Sequence, residues 1–132
     1  KITSWLALWG NFTYTHARIE ENSSDRSSEG KYVTGIPEYA WNAGVDATYK
    51  WCKASLIGRY YSKIYSSSDN SDREDGVYGT YEPAVFMDAK ITVTPLKWLE
   101  FSISAENLLD KEYYEYYKTD GRTIFAEMTF KY

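Results

Sequence analysis

Seven side chains in two polar stretches of the sequence have the chemistry to hold a flat organic ligand. Six of them are tyrosines, whose rings stack on planar or apolar parts of a ligand while their hydroxyls form hydrogen bonds. The seventh is an arginine that follows closely behind four of these tyrosines. The sequence therefore predicts ligand contacts at Tyr78, Tyr81, Tyr113, Tyr114, Tyr116, Tyr117 and Arg122.

Patterns for catalysis or metal binding are weak. His16 is the sole histidine, and neither a G-x-S-x-G turn nor a pair of suitably spaced carboxylates accompanies it. An acidic run at residues 69–76 could offer oxygens to calcium, but it lacks the spacing of an EF-hand, so we interpret it as a solvated loop. Cys52 is the only cysteine, which excludes an internal disulfide or a thiolate cluster. We predict that the chain is not an enzyme, binds no metal and needs no cofactor.

Composition limits the class of protein. The chain has 132 residues, enough for one domain, and its 43% hydrophobic and 18% aromatic content is far from that of disordered chains. No apolar run approaches the roughly 20 residues that a membrane-spanning helix needs. The net charge is −4, and Lys and Arg are spread along the chain, so the sequence lacks the basic patch of nucleic-acid-binding proteins. We expect no nucleic-acid partner.

The tyrosines and the arginine must be positioned by β-strands, because apolar and polar residues alternate through most of the chain. Tyr39 to Trp51 shows the pattern most clearly, with an apolar side chain at every second position. The alternation predicts an all-β fold, an antiparallel up-and-down meander of six strands at residues 4–19, 39–51, 54–65, 85–94, 99–106 and 123–132, with Pro95 ending the fourth. Long polar loops at 20–37, 65–83 and 107–121 alternate with short turns at 51–53 and 95–98.

Aromatic residues close both ends of the apolar face. Ten residues separate Tyr39 from Tyr49, which is roughly 33 Å of strand and roughly 23 Å of depth at a tilt of about 45°. This matches the apolar band, about 25 Å tall, that lies between the two aromatic girdles of an outer-membrane barrel. We predict membrane-girdle positions at Tyr39, Trp41, Tyr49, Trp51, Trp98, Phe130 and Tyr132; girdle positions are also the alternative role for Tyr113 and Tyr114.

The opposite face of the strands carries charge. If the apolar face meets lipid, the lumen of the barrel is lined by Asp46, Arg59, Lys63, Asp88, Lys90, Glu106 and Glu127. Long loops on one side and short turns on the other are typical of such barrels, of which single-chain examples start at about 8 strands. Residues 1–132 are therefore predicted to be a single β-barrel segment, the C-terminal strands of a larger transmembrane β-barrel. Alone, it is expected to self-associate through its open strand edges.

The end of the sequence resembles a known family. Ala105 to Tyr113 reads Ala-Glu-Asn-Leu-Leu-Asp-Lys-Glu-Tyr, and Gly121-Arg122 and a closing amphipathic strand follow. This resembles the C-terminal end of TonB-dependent outer-membrane receptors, although Tyr132 stands where the family usually ends in Phe.

The resemblance implies a bacterial outer-membrane protein with a barrel of about 22 strands around a plug domain, of which the plug lies outside this sequence. It also implies active uptake of a scarce nutrient: an iron-siderophore complex, haem or cobalamin. The implied partners are outer-membrane lipid, the remainder of the barrel and plug, the nutrient ligand, and TonB through an N-terminal region outside this sequence. Two alternatives stay open: a soluble ligand-binding β-barrel or sandwich module, and a passive outer-membrane porin.

Overall fold

The computed structural model describes residues 2–132. Six strands form one antiparallel sheet in which every strand pairs with its neighbours along the chain. The strands are β1 (Leu6–Tyr14), β2 (Tyr39–Tyr49), β3 (Cys52–Tyr61), β4 (Ala84–Leu96), β5 (Leu99–Glu106) and β8 (Thr123–Phe130), paired in that order. The predicted all-β meander is confirmed.

Three short elements lie in the loops. A 3-10 turn spans Arg26–Ser28. Strands β6 (Tyr114–Glu115) and β7 (Tyr117–Lys118) form a small antiparallel pair around Tyr116, which makes the reversal at a φ of +69°. Within residues 2–132 the structure contains no helix that is both long enough and apolar enough to cross a membrane.

The strand register places most apolar residues of the six strands on one face. Because side chains alternate across a strand and paired residues share a face, the pairing of Val45 with Leu8 and Leu56 extends one apolar row across three strands. The row continues through Ala89, Ala105 and Ile124. The sheet is a single layer: Ala84 is the one buried hydrophobic residue among those described. No second sheet covers the apolar face within residues 2–132.

One expectation about a strand end is wrong. Pro95 was expected to end the fourth strand, yet β4 continues through it to Leu96. The pairing of β4 with β5 shifts register between Val93 and Leu96. Such an irregularity accommodates a residue that has no N–H to donate to the ladder.

Candidate functional site

The three long loops gather at one end of the sheet. The first loop (residues 15–38), the second loop (62–83) and the third loop (107–122) connect strands at this end. At the other end two-residue turns, Lys50-Trp51 and Lys97-Trp98, join the strands. The sequence predicts that long loops and short turns alternate along the chain. Because successive connections in an up-and-down meander lie at opposite ends of the sheet, all the long loops lie at one end and both short turns at the other.

The first and second loops are tied together by a buried amide. Asn70 is 4% exposed and has a φ of +52°. Its Oδ1 accepts from the Tyr32 N–H at 2.7 Å, and its Nδ2 donates to the Tyr32 carbonyl at 3.1 Å. The Tyr32 ring stacks on Tyr65 at 5.8 Å. The two loops are thereby held as one surface.

The second and third loops are joined by backbone hydrogen bonds. The Gly79 N–H donates to the Tyr116 carbonyl at 2.8 Å, and the Tyr116 N–H donates to the Thr80 carbonyl at 2.9 Å. Glu82 exchanges a further pair with Tyr114: its N–H donates to the Tyr114 carbonyl, and its Oε1 accepts from the Tyr114 N–H at 2.7 Å. The predicted contact residues of the two loops are therefore brought to the same place.

Four tyrosines form a cluster across this junction, hereafter the tyrosine cluster: Tyr78, Tyr81, Tyr116 and Tyr117. Tyr78 lies 5.3 Å from Tyr116 and 5.4 Å from Tyr117, both in edge-to-face arrangement. Tyr81 lies 6.2 Å from Tyr116. Tyr78 and Tyr117 keep 63% and 65% of their surface exposed. The structure thus brings four of the seven predicted ligand contacts together as an open aromatic surface.

The other three predicted contacts hold the loops. The Tyr113 hydroxyl donates to the Val85 carbonyl at 2.9 Å, and its ring packs 5.1 Å from Phe86. Phe86 is on the charged face of the sheet, because it pairs with Arg59. Tyr113 is therefore not on the face that carries the aromatic girdles. Tyr114 is part of the backbone junction, and Arg122 pairs with Asp110 at 3.2 Å.

The motif behind the family resemblance closes the third loop. The Asn107 amide is 6% exposed and donates to the carbonyls of Lys111, at 2.6 Å, and Asp120, at 3.2 Å. Asp110 accepts from the Arg122 N–H at 2.9 Å. A Cβ at Gly121 would lie 3.0 Å from the Asp110 carboxylate, so a small residue suits this position. The motif is thus a brace between the two ends of the loop.

Several charges on the polar face form ion pairs. Arg59 lies 2.6 Å from Asp88, and Lys90 lies 3.8 Å from Glu127. The register also places Asp46 and Glu106 on this face. Lys63, the seventh predicted lumen residue, lies beyond the end of β3 and pairs with Asp75 of the second loop at 2.6 Å.

Trp9 resolves the ambiguity of the first strand, where both faces look apolar in sequence. Its indole N–H donates to Asp46 Oδ2 at 3.0 Å, on the polar face. The same carboxylate accepts from the Ser55 hydroxyl at 2.6 Å. The indole covers Gly44, where a Cβ would lie 2.3 Å from Trp9 Cζ2. Glycine at position 44 is therefore what lets Trp9 lie flat against the sheet.

Aromatic side chains border the apolar face at both ends. At the loop end Trp41 stacks on Tyr60 at 6.1 Å, and Tyr39 lies 5.1 Å from Tyr14. At the turn end Trp98 stacks on Phe130 at 6.2 Å. The loop-end border also includes Phe12, Tyr14 and Tyr60, which were not among the girdle positions predicted from the sequence and which the register places beside Trp41 and Tyr39. Tyr49 and Trp51 lie at the turn end and Trp41 at the loop end, whereas Tyr132 lies past the end of β8.

A concavity of about 420 Å³ opens on the polar face, directly below the junction of the second and third loops. Its lining includes Arg59, Tyr61, Phe86 and Glu115. The Tyr61 hydroxyl donates to the Glu115 carboxylate and so connects β3 to the third loop. The tyrosine cluster and this concavity together make up the candidate site.

Two carboxylates of the acidic run, Asp69 and Asp72, accept hydrogen bonds within the second loop. Burial acts to raise the pKa of Asp72, but hydrogen bonds from the Ser66 N–H and from the Ser67 and Ser66 hydroxyls outweigh it and lower the pKa below 3.8. Hydrogen bonds from Ser71 lower the pKa of Asp69. Within residues 2–132 no three His, Cys, Asp or Glu side chains are grouped to hold a metal ion.

Comparison with known proteins shows the fold. No protein-family model and no curated protein sequence matches the chain. Among solved structures, the chain is similar to the ferric citrate transporter FecA in its unliganded form, with a TM-score of 0.79 and 20% identity over 96% of this chain. It is also similar to the ferric-catecholate import receptor Fiu from E. coli K12, with a TM-score of 0.78 and 20% identity over 98% of this chain.

Both neighbours are much longer than the chain, which spans 21% of FecA and 19% of Fiu. The likeness to both structures confirms the fold expected from the sequence, an all-β antiparallel meander.

Proposed function

We propose that the chain forms the C-terminal barrel strands of a TonB-dependent receptor in the bacterial outer membrane, and that the whole protein actively takes up a scarce nutrient. The observation that carries the proposal is the apolar face: six strands contribute to it, it bears no charged side chain, and aromatic residues border both of its ends. The polar face behind it bears the ion pairs.

The exposure of this face argues for lipid as its solvent. Leu8, Ile103 and Ile124 are 53%, 61% and 66% exposed in a chain that buries almost no hydrophobic residue. Burying one such side chain away from water is worth about 1.5 to 3 kcal/mol, so a face of this size needs a cover. Hydrocarbon between the two aromatic borders supplies that cover, whereas a soluble sandwich would supply a second sheet.

The open edges of the sheet support a larger barrel. β1 and β8 each pair on one side only among the described residues, which leaves a row of backbone donors and acceptors at each edge. Further strands that close the barrel would form hydrogen bonds with both rows. A membrane requires this, because hydrocarbon contains no water to bond unpaired backbone groups. The proposed partners are accordingly the remaining strands, a plug in the lumen against the charged face, and TonB through an N-terminal region outside this sequence.

The proposed ligand surface is the tyrosine cluster above the concavity of Arg59 and Glu115. Its exposed rings, held in place by loop backbone, offer flat apolar area with hydroxyls at the edge. We propose that an iron-siderophore complex, haem or cobalamin is first held here.

Fractionation followed by an uptake assay tests the proposal. The intact protein that carries these strands is expected in the outer-membrane fraction, to shift mobility on detergent gels when boiled, and to import its nutrient only while the inner membrane is energised. Protein that stays soluble without detergent would support the soluble-module alternative and contradict the proposal. Import that persists without a proton gradient would indicate a passive porin.

A further inference from the structure

We propose that the ligand held by these loops is neutral or positively charged and contains flat rings, and that the loops disfavour polyanionic complexes. This inference rests on the proposed function and names the class of substrate for the same surface. It is carried by the charge of the loops and by the surroundings of the tyrosine cluster.

The acidic surplus of the loops is larger than that of the whole chain. The first loop has five acidic and three basic side chains, the second five and two, and the third four and three. The loops therefore carry six surplus negative charges, while the whole chain carries −4. The strands and turns are slightly basic. A surface of one sign raises the local concentration of ligands of the opposite sign and lowers that of like-charged ligands.

Two carboxylates without a basic partner lie next to the tyrosine cluster. Glu115 is paired across the strands with Tyr81 and accepts from the Tyr61 hydroxyl. Glu82 follows Tyr81 and accepts from the N–H groups of Gly76, at 3.0 Å, and Tyr114. Among the described residues neither carboxylate lies within 4.0 Å of a basic group. Neither charge is therefore neutralised by a direct ion pair beside the exposed rings.

The rings act in the same direction as the carboxylates. The face of an aromatic ring carries the negative part of its quadrupole, so it attracts cations and apolar surfaces and repels anions. Tyr78 and Tyr117 are the most exposed rings of the cluster. Stacking on the rings favours a flat ligand. The carboxylates and the ring faces both disfavour a negatively charged one.

Two porphyrins of the same size test the inference. One carries four N-methylpyridinium groups and the other four sulfonates. Binding of each to the intact protein in detergent is measured by quenching of porphyrin fluorescence at low salt. We expect the cationic porphyrin to bind at least about tenfold more tightly, and the ratio to shrink as salt is added. Tyr78→Leu and Tyr117→Leu are expected to weaken binding of both.

The carboxylate contribution has its own variant. Glu115→Gln keeps an acceptor for Tyr61 and removes one charge, so the preference for the cationic porphyrin should fall by roughly two- to threefold. Glu20→Gln is the matched control, because Glu20 is an exposed residue of the first loop outside the cluster. It is expected to change the preference less than Glu115→Gln does.

The outcomes separate this inference from the proposed function. Equal or tighter binding of the sulfonated porphyrin, still weakened by the tyrosine variants, overturns the charge selection and leaves the receptor proposal standing. If the tyrosine variants leave the binding of both porphyrins unchanged, or if neither porphyrin binds, the tyrosine cluster is not the ligand surface. A preference for the cationic porphyrin that survives high salt unchanged also contradicts an electrostatic origin.

Discussion

An arginine placed on one face of β3 should destabilise the protein far more than an arginine placed on the other face. Leu56 and Ile57 are adjacent apolar residues of the same strand, and the register turns them to opposite faces. Leu56 lies between Val45 and Ala89 in the middle of the apolar face, whereas Ile57 lies between Gly44 and Asp88 on the polar face. Sequence hydrophobicity alone would give both substitutions the same cost.

The structure assigns different magnitudes to the two. Leu56 is four residues from Tyr60 at one aromatic border and four from Cys52 at the other end of β3, which places it near the centre of the apolar band. An arginine at that depth costs about 2 to 4 kcal/mol, or roughly thirty- to several-hundredfold in the folding equilibrium. An arginine at position 57 faces Asp88 and should cost less than about 1 kcal/mol.

Urea unfolding of the intact protein in lipid bilayers, followed by tryptophan fluorescence, measures both costs. Leu56→Arg should lower the midpoint strongly and Ile57→Arg should barely move it. Equal losses for the two variants, or a larger loss for Ile57→Arg, would refute the assignment of faces.

Three further predictions concern the details of the sheet and loops. Gly44→Ala should destabilise the protein by about 1 to 3 kcal/mol, because the added Cβ would clash with Trp9. Adding Trp9→Ala should restore part of the lost stability. Denaturant titration of the single and double variants measures both effects. Asn107→Ala should lower the free energy of unfolding by about 1 to 3 kcal/mol and loosen the third loop. Limited trypsin digestion should then cut faster at Lys111 and Lys118. Unchanged cutting would show that the Asn107 hydrogen bonds do not hold the loop closed. The lowered pKa of Asp72 means that its stabilisation of the second loop is present above pH 3.8 and is lost as the pH falls through the lower folded-state pKa. The protection factor of the Ser66 N–H, which is the intrinsic exchange rate at each pH divided by the observed rate, should fall in that range. Asp72→Ala should give low protection of this N–H at every pH.

The sheet could be predicted from the sequence because a period of two repeats in every strand. Tyr39 to Trp51 alone shows which face is apolar and how long the span is. The sequence does not show which face of the first strand is apolar, because Trp9 breaks the alternation. The register explains it: Gly44, across the pair, leaves the space that the indole fills.

The loops could not be predicted in the same way, because their contacts have no period. Asn70 is one polar residue among many in sequence, and nothing there indicates that it is buried against Tyr32. The tyrosines were identifiable as a group, but residue type did not separate Tyr113, which packs on Phe86, from Tyr116, which joins the cluster. Which tyrosines join the cluster depends on the pairing of β6 with β7 and on the pairing of the third loop with the second.

Quenching by brominated lipid tests the central claim most directly, since it reports which face meets hydrocarbon. In a Cys52→Ala background, a fluorophore on a cysteine at position 103 lies on the apolar face, and one at position 104 lies on the polar face. We expect strong quenching at position 103 and weak quenching at position 104 in the membrane-embedded protein. Equal quenching at both positions, or stronger quenching at 104, would contradict it.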